Sequence, residues 1–256
     1  MRILPISALA CWVYCPRQFH YSYVLGEKPV LNRAMALGIA KHKVHELWPE
    51  SEKRAVFAQD VQSAIESEVE RVAGICVRLN SRALKKTGVH FKEAFDQVRD
   101  VARACAISSF ERMAPLLKSG LRGEALWQAL TPKIKPEYRI ESKRLGVRGR
   151  IDSLECYENK IVPVELKSGS APPDGVFDHH RVQVACYALV LEEIFGSRVD
   201  EAVVHYVDKR SRRPVIMNPF TREFVEGVAR DVRKALLATQ APKGCGRDSC
   251  SACCKD

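Results

Sequence analysis

The sequence predicts an α/β fold with a helical insertion, and three observations carry that expectation. Apolar residues recur at three- and four-residue steps up to about residue 130, the period shortens to two beyond Pro136, and helical spacing returns from about residue 178. The resulting order of helices, strands, helix, strands and helix fits one α/β core better than a string of independent domains. With 256 residues, 46% of them apolar, the chain is long enough to bury a sizeable core.

The first 50 residues read as helical, with Ser7 and Asn32 as candidate N-caps and an apolar stripe from Asn32 to Trp48. Phe57, Val61, Ile65, Val69, Val72, Cys76 and Leu79 mark the next helix. Phe91, Phe95, Val98, Cys105 and Met113 mark another, with Gly88 at the join. The expected unit is a helical hairpin inside an insertion over residues 52–130. Its tip carries Arg71, Arg78, Arg82, Lys85, Lys86 and Lys92 with no acidic residue between them, which suits either a solvated face or contact with phosphates.

Residues 138–140, 147–156 and 160–167 read as consecutive strands, with Gly146 and Glu158-Asn159 as turns. A helix over 178–195, strands over 202–207 and 214–217 around a basic loop, and an amphipathic helix over 220–239 follow. A short cysteine-rich tail closes the chain.

Lysine and arginine outnumber aspartate and glutamate by 41 to 31, and the net charge of +10 favours a polyanionic partner or an anionic surface. No stretch approaches the ~18 apolar residues that a membrane crossing requires. The opening MRILPISALACWVY runs straight into the polar CPRQFHYSY and reads as structure, not as a leader. Ten cysteines diluted in a long chain and clustered at its end indicate reduced thiols of a cytoplasmic protein with a metal or iron–sulfur site, not a disulfide scaffold. Cys11, Cys76, Cys105, Cys156 and Cys186 lie within apolar patterns and are expected to be buried small hydrophobes.

The chemistry concentrates in Gly149-Arg150-Ile151-Asp152 and Glu165-Leu166-Lys167. On a strand Glu165 and Lys167 share a face, while Val162, Val164 and Leu166 face the core. Asp152 reaches the same place across a hairpin, giving two hard oxygen donors suited to Mg²⁺ or Mn²⁺. Beside them Lys167 is placed to position a water or to offset charge on a phosphate. A lone Glu-x-Lys is usually an exposed strand face; the preceding Asp152 is what singles this one out. His42, one turn after Gly38, is a candidate imidazole ligand, with His45 competing on the same helix. Gln183 and Tyr187, four residues apart, share a helix face from which to hold a substrate phosphate or orient Lys167.

In that order, Gly38-xxx-His42, Gly149-xx-Asp152, Glu165-x-Lys167 and Gln183-xxx-Tyr187 resemble the RecB-type branch of the PD-(D/E)xK nucleases. The opening ISALACWVYCPRQFHYSYVLGE, with Cys15-Pro16-Arg17, and the terminal cysteines resemble the fourth family of CRISPR-associated proteins, the iron–sulfur exonucleases of spacer acquisition. The resemblance covers both ends and residues 136–207, not the segment around 52–130. It implies a single RecB-like nuclease domain over 1–256, with a mixed central sheet flanked by helices, the helical insertion, and an iron–sulfur module formed by residues 1–30 with 240–256. The implied activity is that of a cytoplasmic, metal-dependent DNA exonuclease, with endonuclease activity open, that trims single-stranded or overhang ends of prespacer DNA for a CRISPR integrase complex.

By the same resemblance His42, Asp152 and Glu165 hold Mn²⁺ or Mg²⁺, with the Leu166 backbone carbonyl as an extra ligand, and Lys167 is the catalytic lysine. Gln183 and Tyr187 assist substrate placement. A 4Fe-4S cluster would take Cys15, Cys245, Cys250 and either Cys253 or Cys254. The terminal spacing departs from the family's pattern, and a four-cysteine zinc site is the competing chemistry. Two other functions stand beside the first: a RecB-like iron–sulfur nuclease of DNA repair or of a mobile element, and a non-cutting DNA-binding assembly subunit. The presence of Asp152, Glu165 and Lys167 together speaks against the last.

Overall fold

The computed structural model describes residues 3–247 together with Cys250 and Cys253. The chain enters through a two-residue strand, β1 (Leu4–Pro5), and Pro5 takes the N-cap position of helix α1 (Ile6–Tyr14). Ser7, expected as a cap, therefore lies inside the first turn, where its hydroxyl shares a 3.2 Å hydrogen bond with the Tyr23 phenol. A short helix, α2 (Pro16–Phe19), runs into a π-helical turn (His20–Val24). Asn32 does cap α3 (Arg33–Val56), accepting from the Met35 N–H at 2.9 Å.

Asp60 starts α4 (Val61–Leu79) by accepting from the Gln62 and Ser63 N–H groups, so Phe57 falls outside that helix and is 49% exposed. A short α5 (Ser81–Lys86) forms the tip, followed by α6 (Phe91–Lys118) and α7 (Gly123–Ala129). The remaining elements are β2 (Lys133–Ser142), β3 (Val147–Cys156), β4 (Ile161–Lys167), α8 (Asp178–Phe195), β5 (Glu201–Tyr206), β6 (Ser211–Ile216) and α9 (Pro219–Ala235). β2 begins earlier than the period-two pattern indicated because the pairing with β3 runs on through Pro136 to Lys133.

The sheet is mixed, in the order β1-β3-β4-β5-β6, with β2 antiparallel to β3 along its length. The other edge of β3 is shared. β1 pairs in parallel with Val147 and Arg148, and β4 pairs antiparallel with residues 153–156. Residues 149–152 are left between them without a ladder partner on that edge, and the sheet opens there into a fork. β4 and β5 are parallel, and α8 forms the crossover that such a pair requires.

A core forms on each face of the sheet. One gathers Ile6, Leu9, Phe19, Leu154, Leu191 and Val225 from α1, α2, α8, α9 and the strands. The other packs Val44, Val72, Val98 and Met113 of α3, α4 and α6 against Val162, Val164 and Leu166 of β4. Burying each such side chain contributes roughly 1.5–3 kcal/mol, so β4 is clamped between two helical layers and its polar residues are held where its apolar neighbours dictate. Cys76 and Cys186 are buried as expected, whereas Cys11, Cys105 and Cys156 sit at the rims of the cores and are half-buried. Among the described residues no helix is long and apolar enough to cross a membrane.

Candidate active site and cysteine centre

The fork in the sheet collects the polar residues. Where the β3–β4 ladder stops, the Asp152 Oδ2 accepts the Leu166 N–H at 2.8 Å, so a side chain replaces the carbonyl that would have continued the ladder. The His42 Nδ1 lies 3.7 Å from the same oxygen. Both motif glycines permit close approach. A Cβ on Gly38 would stand 2.7 Å from the Ser168 Oγ, just past the end of β4, and one on Gly149 would stand 2.9 Å from the Ile6 Cδ1.

On the α8 side, Glu165 is 5% exposed and both of its oxygens are hydrogen-bonded. Its Oε1 accepts from the Lys167 Nζ at 2.7 Å and from the Gln183 Nε2 at 2.8 Å, and its Oε2 accepts from the Tyr187 hydroxyl at 2.9 Å. Gln183 closes the network, its Oε1 accepting from Lys167 at 3.0 Å and its Nε2 donating to the Tyr187 oxygen at 2.8 Å. The structure thus brings together Asp152 with His42, and Glu165 with Lys167, Gln183 and Tyr187.

Burial pushes the Glu165 carboxyl above the usual carboxylate range, against the pull of Lys167. Burial acts in the opposite sense to the outcome on the facing pair: Asp152 and His42 attract one another strongly enough that the acid is held low and the imidazole raised. Tyr187 is raised well above its ordinary value, by burial first and by Glu165 next, and stays a hydroxyl donor.

The donor types suit a hard divalent cation, and the ligating atoms of His42, Asp152 and Glu165 as a set stand farther apart than the 4.8 Å within which the cysteine sulfurs gather. The Asp152 Oδ1 makes no hydrogen bond among the described residues, and the Glu165 Oε2 accepts only that of Tyr187. Leu166 spends its N–H on Asp152 and buries its side chain in the second core, so a ligand role for it rests on the carbonyl alone. His45 does not compete with His42. It turns away from the fork, with its Nδ1 3.6 Å from the Cys105 Sγ and its ring edge-on to His205.

The second centre joins the two ends of the described chain. Cys15, at the C-cap of α1, meets Cys245, Cys250 and Cys253 with all sulfurs within 4.8 Å of one another, the one such gathered group of ligating side chains among the described residues. Cys15 and Cys253 are 3.8 Å apart, and Cys245 and Cys253 3.6 Å. Cys254 lies outside the described residues. The Arg247 backbone N–H and its guanidinium, 3.3 Å from the Cys245 Sγ, hold that thiol down to about 6, which favours the ligating thiolate. Thiolate donors suit zinc or an iron–sulfur cluster alike. Four sulfurs ~2.3 Å from one tetrahedral ion stand about 3.8 Å apart, close to the observed separations, whereas a cubane holds its ligands farther apart.

Sequence reasoning missed the aromatic block between the two centres. The Arg247 guanidinium lies over the Tyr14 ring at 4.0 Å, Tyr14 meets His179 edge-on at 5.1 Å, and His179 stacks on Phe177. The His180 Nδ1 is 3.1 Å from the Tyr206 hydroxyl, and Tyr206 pairs with Lys167 in the β4–β5 ladder. Burial, reinforced by the Lys167 charge, pushes His179 down to about 4 and His180 to about 3. Also unforeseen was Asp208, which binds the Lys41 Nζ at 2.7 Å and accepts the Gly169 N–H at 2.8 Å, tying α3 to the end of β4. Its one signal was an acidic residue opening a basic loop.

The basic tip needs one correction. Arg71 pairs with Glu68 at 2.6 Å and donates to the Ser51 hydroxyl at 3.1 Å, so it braces α4 against α3. Arg78, Arg82, Lys85, Lys86 and Lys92 are exposed.

Comparisons with known proteins bear on the family. A CRISPR-associated exonuclease Cas4 of Rhodospirillum rubrum is 33% identical over 75 residues, 28% of this chain and 22% of that protein. A CRISPR-associated exonuclease Cas4/endonuclease Cas1 fusion of Geobacter sulfurreducens is 33% identical over 78 residues, 30% of this chain and 14% of the fusion. The matched segments are thus less than a quarter of these relatives' length. A crystal structure from Eubacterium rectale, described as an exonuclease, superposes with a TM-score of 0.51 over 98% of this chain and 87% of that one at 10% identity, a likeness of fold. The family model of the PD-(D/E)XK nuclease superfamily matches residues 4–254, and with the acidic pair and lysine set in the fork of a mixed sheet, the chain belongs to that superfamily.

Proposed function

We propose that the protein is a cytoplasmic, metal-dependent DNA exonuclease that trims single-stranded or overhanging prespacer ends for a CRISPR integrase complex. The observation that carries the reading is the fork: Asp152 with His42, and Glu165 with Lys167, lie beside the stretch of β3 that lacks a ladder partner on its β4-side edge. The relatives named exonuclease Cas4, some fused to a Cas1 endonuclease, support the choice of substrate and partner.

His42, Asp152 and Glu165 would hold Mn²⁺ or Mg²⁺, which supplies polarisation of the scissile phosphate and activation of water. Lys167, fixed by Glu165 and Gln183, orients the attacking water and offsets negative charge building on the phosphate. Tyr187 and Gln183 hydrogen-bond Glu165, and the Tyr187 bond opposes the upward push of burial on its carboxyl. The exposed cations of α5 and its flanks track the DNA backbone.

The test is digestion of end-labelled single-stranded and overhang DNA in Mn²⁺ or Mg²⁺ by the wild type and by Lys167→Ala. Progressive shortening by the wild type and its loss in the variant support the assignment. Intact substrates, or equal cutting by both, refute it. Addition of the integrase and an array-bearing plasmid tests the prespacer role: trimmed ends should be inserted and untrimmed ends rejected.

For the cysteine centre we propose a 4Fe-4S cluster held by Cys15, Cys245, Cys250 and Cys253. Zinc is the second reading, favoured by the sulfur separations. Protein prepared without oxygen should be brown, with absorbance near ~400 nm. Colourless protein with one zinc per chain would replace the cluster.

A further inference from the structure

Behind the catalytic strand, between α3, α6 and the sheet face bearing Val164 and Leu166, lies a cavity of ≈ 460 Å³ that the proposed reaction leaves unused. Its size is that of a small-molecule site. β4 turns Glu165 and Lys167 toward α8, and Val164 and Leu166 toward this cavity. In the same way α3 offers His42 to Asp152 and, one turn on, His45 to the cavity.

Two of the three wall carboxylates are paired, and the third, Glu111, is exposed and makes no ion pair among the described residues. Glu52 pairs with Arg112, and Glu155 with Arg212 at 2.8 Å. Burial pushes His45 down to about 3 and His205 to about 4, so both imidazoles are neutral near pH 7. The Cys105 thiol, raised by burial to about 12, stays protonated and lies 3.6 Å from the His45 Nδ1. The His45 Nε2 is buried and has no hydrogen-bond partner among the described residues. At the rim Arg210, held at φ +48 beside the end of β5, is exposed and makes no ion pair among the described residues.

We propose that this cavity binds a nucleotide, its base packed against the His45 ring and its phosphate at Arg210. A bare anion would gain nothing from the apolar floor of Val164 and Leu166, and an all-apolar ligand would leave the buried His45 ring nitrogen unsatisfied. A flat heterocycle carrying hydrogen-bond donors and acceptors on its edge and an appended phosphate meets all three features. The same chemistry has two sources, a free mononucleotide and the terminal residue of a DNA strand.

Isothermal titration of the full chain with its cysteine centre loaded and no added divalent cation tests this, in a Glu165→Gln background so that no hydrolysis intervenes. The probes are dAMP, dTMP, and a short oligothymidylate ending in thymidine or in an abasic residue. Saturable one-site binding is expected, weakened about tenfold by Arg210→Glu and by Ile107→Trp, which fills the rim from a 56%-exposed position. Binding of the free nucleotides assigns the cavity to a released product. Binding of the oligonucleotide alone, lost with the abasic end, assigns it to the strand terminus, and either result supports the site. Absence of saturable binding by all probes, or binding that neither variant changes, overturns it. The readout is independent of cutting, so failure of the nuclease reading would leave this result intact and interpretable.

Discussion

Replacing Tyr187 by Phe removes one oxygen from the centre of the Glu165 network and leaves the ring in place. The interaction that matters is the 2.9 Å hydrogen bond to the Glu165 Oε2, a charge-assisted bond to a buried carboxylate worth roughly 1.5–3 kcal/mol. Gln183 loses the phenol oxygen as an acceptor but keeps the Glu165 Oε1 at 2.8 Å, so its amide is not orphaned and the cost stays near that of a single bond. For a chain of this size such a cost lowers the melting temperature by about 3–12 °C. It also has a catalytic sign. Burial raises the Glu165 pKa and the Tyr187 hydrogen bond opposes that rise, so the variant's carboxyl takes its proton at higher pH and the acid limb of the cleavage profile moves upward. Calorimetry and end-labelled DNA digestion across pH read the two effects. An unchanged melting temperature with an unmoved acid limb, or a limb displaced to lower pH, would refute the role assigned to the phenol.

Gly149→Ala should destabilise by about 1–3 kcal/mol in denaturant unfolding because its Cβ meets the Ile6 Cδ1, and adding Ile6→Val, which removes that carbon, should restore most of the stability. His42→Ala is predicted to cost about 1 kcal/mol in a pH-dependent way. His42 is raised above 6.5 in the fold, so its contribution is full below that pH and is lost as pH rises through its folded value; Asp152 is lowered below 3.8, so its contribution is present above that pH and is lost as pH falls through its folded value. The variant's deficit in urea titrations should therefore be largest between about pH 3.8 and 6.5 and fade in alkali; a deficit that grows in alkali would contradict the pairing. Reversing Arg78, Arg82, Lys85 and Lys86 to Glu should weaken DNA binding and flatten its salt dependence, by about 0.7–0.9 in the log–log slope for each phosphate left without its cation. An unchanged slope would assign those side chains to solvent.

What the sequence made legible was local. Glu165 and Lys167 share a face because a strand alternates, and Gln183 and Tyr187 share one because they stand a helical turn apart; both periods are properties of the backbone. The fork is not local. It exists because Leu4 and Pro5 pair with Val147 and Arg148 and so occupy the first two positions of that β3 edge, a pairing across more than half the chain that no spacing announces. The cavity around His45 and the aromatic block from Tyr14 to Tyr206 arise in the same way, from elements that meet only in the folded state. Two further features were within reach of local rules. Glu68 lies three residues before Arg71, the spacing at which opposite charges meet on a helix, and Pro5 fixes a better helix start than Ser7.

The 3.8 Å approach of Cys15 to Cys253 spans 238 positions of sequence. Closing so long a loop costs little more than closing a medium one, so chain length is not the obstacle. The obstacle is order of arrival. The ribosome delivers Cys15 before either core exists and Cys245, Cys250 and Cys253 only after both can form, and the sulfurs converge only if α1 has docked beside the finished sheet. Loading of a cluster or metal there would thus inspect the fold: a chain misfolded between Cys15 and Cys245 would have thiols but no site.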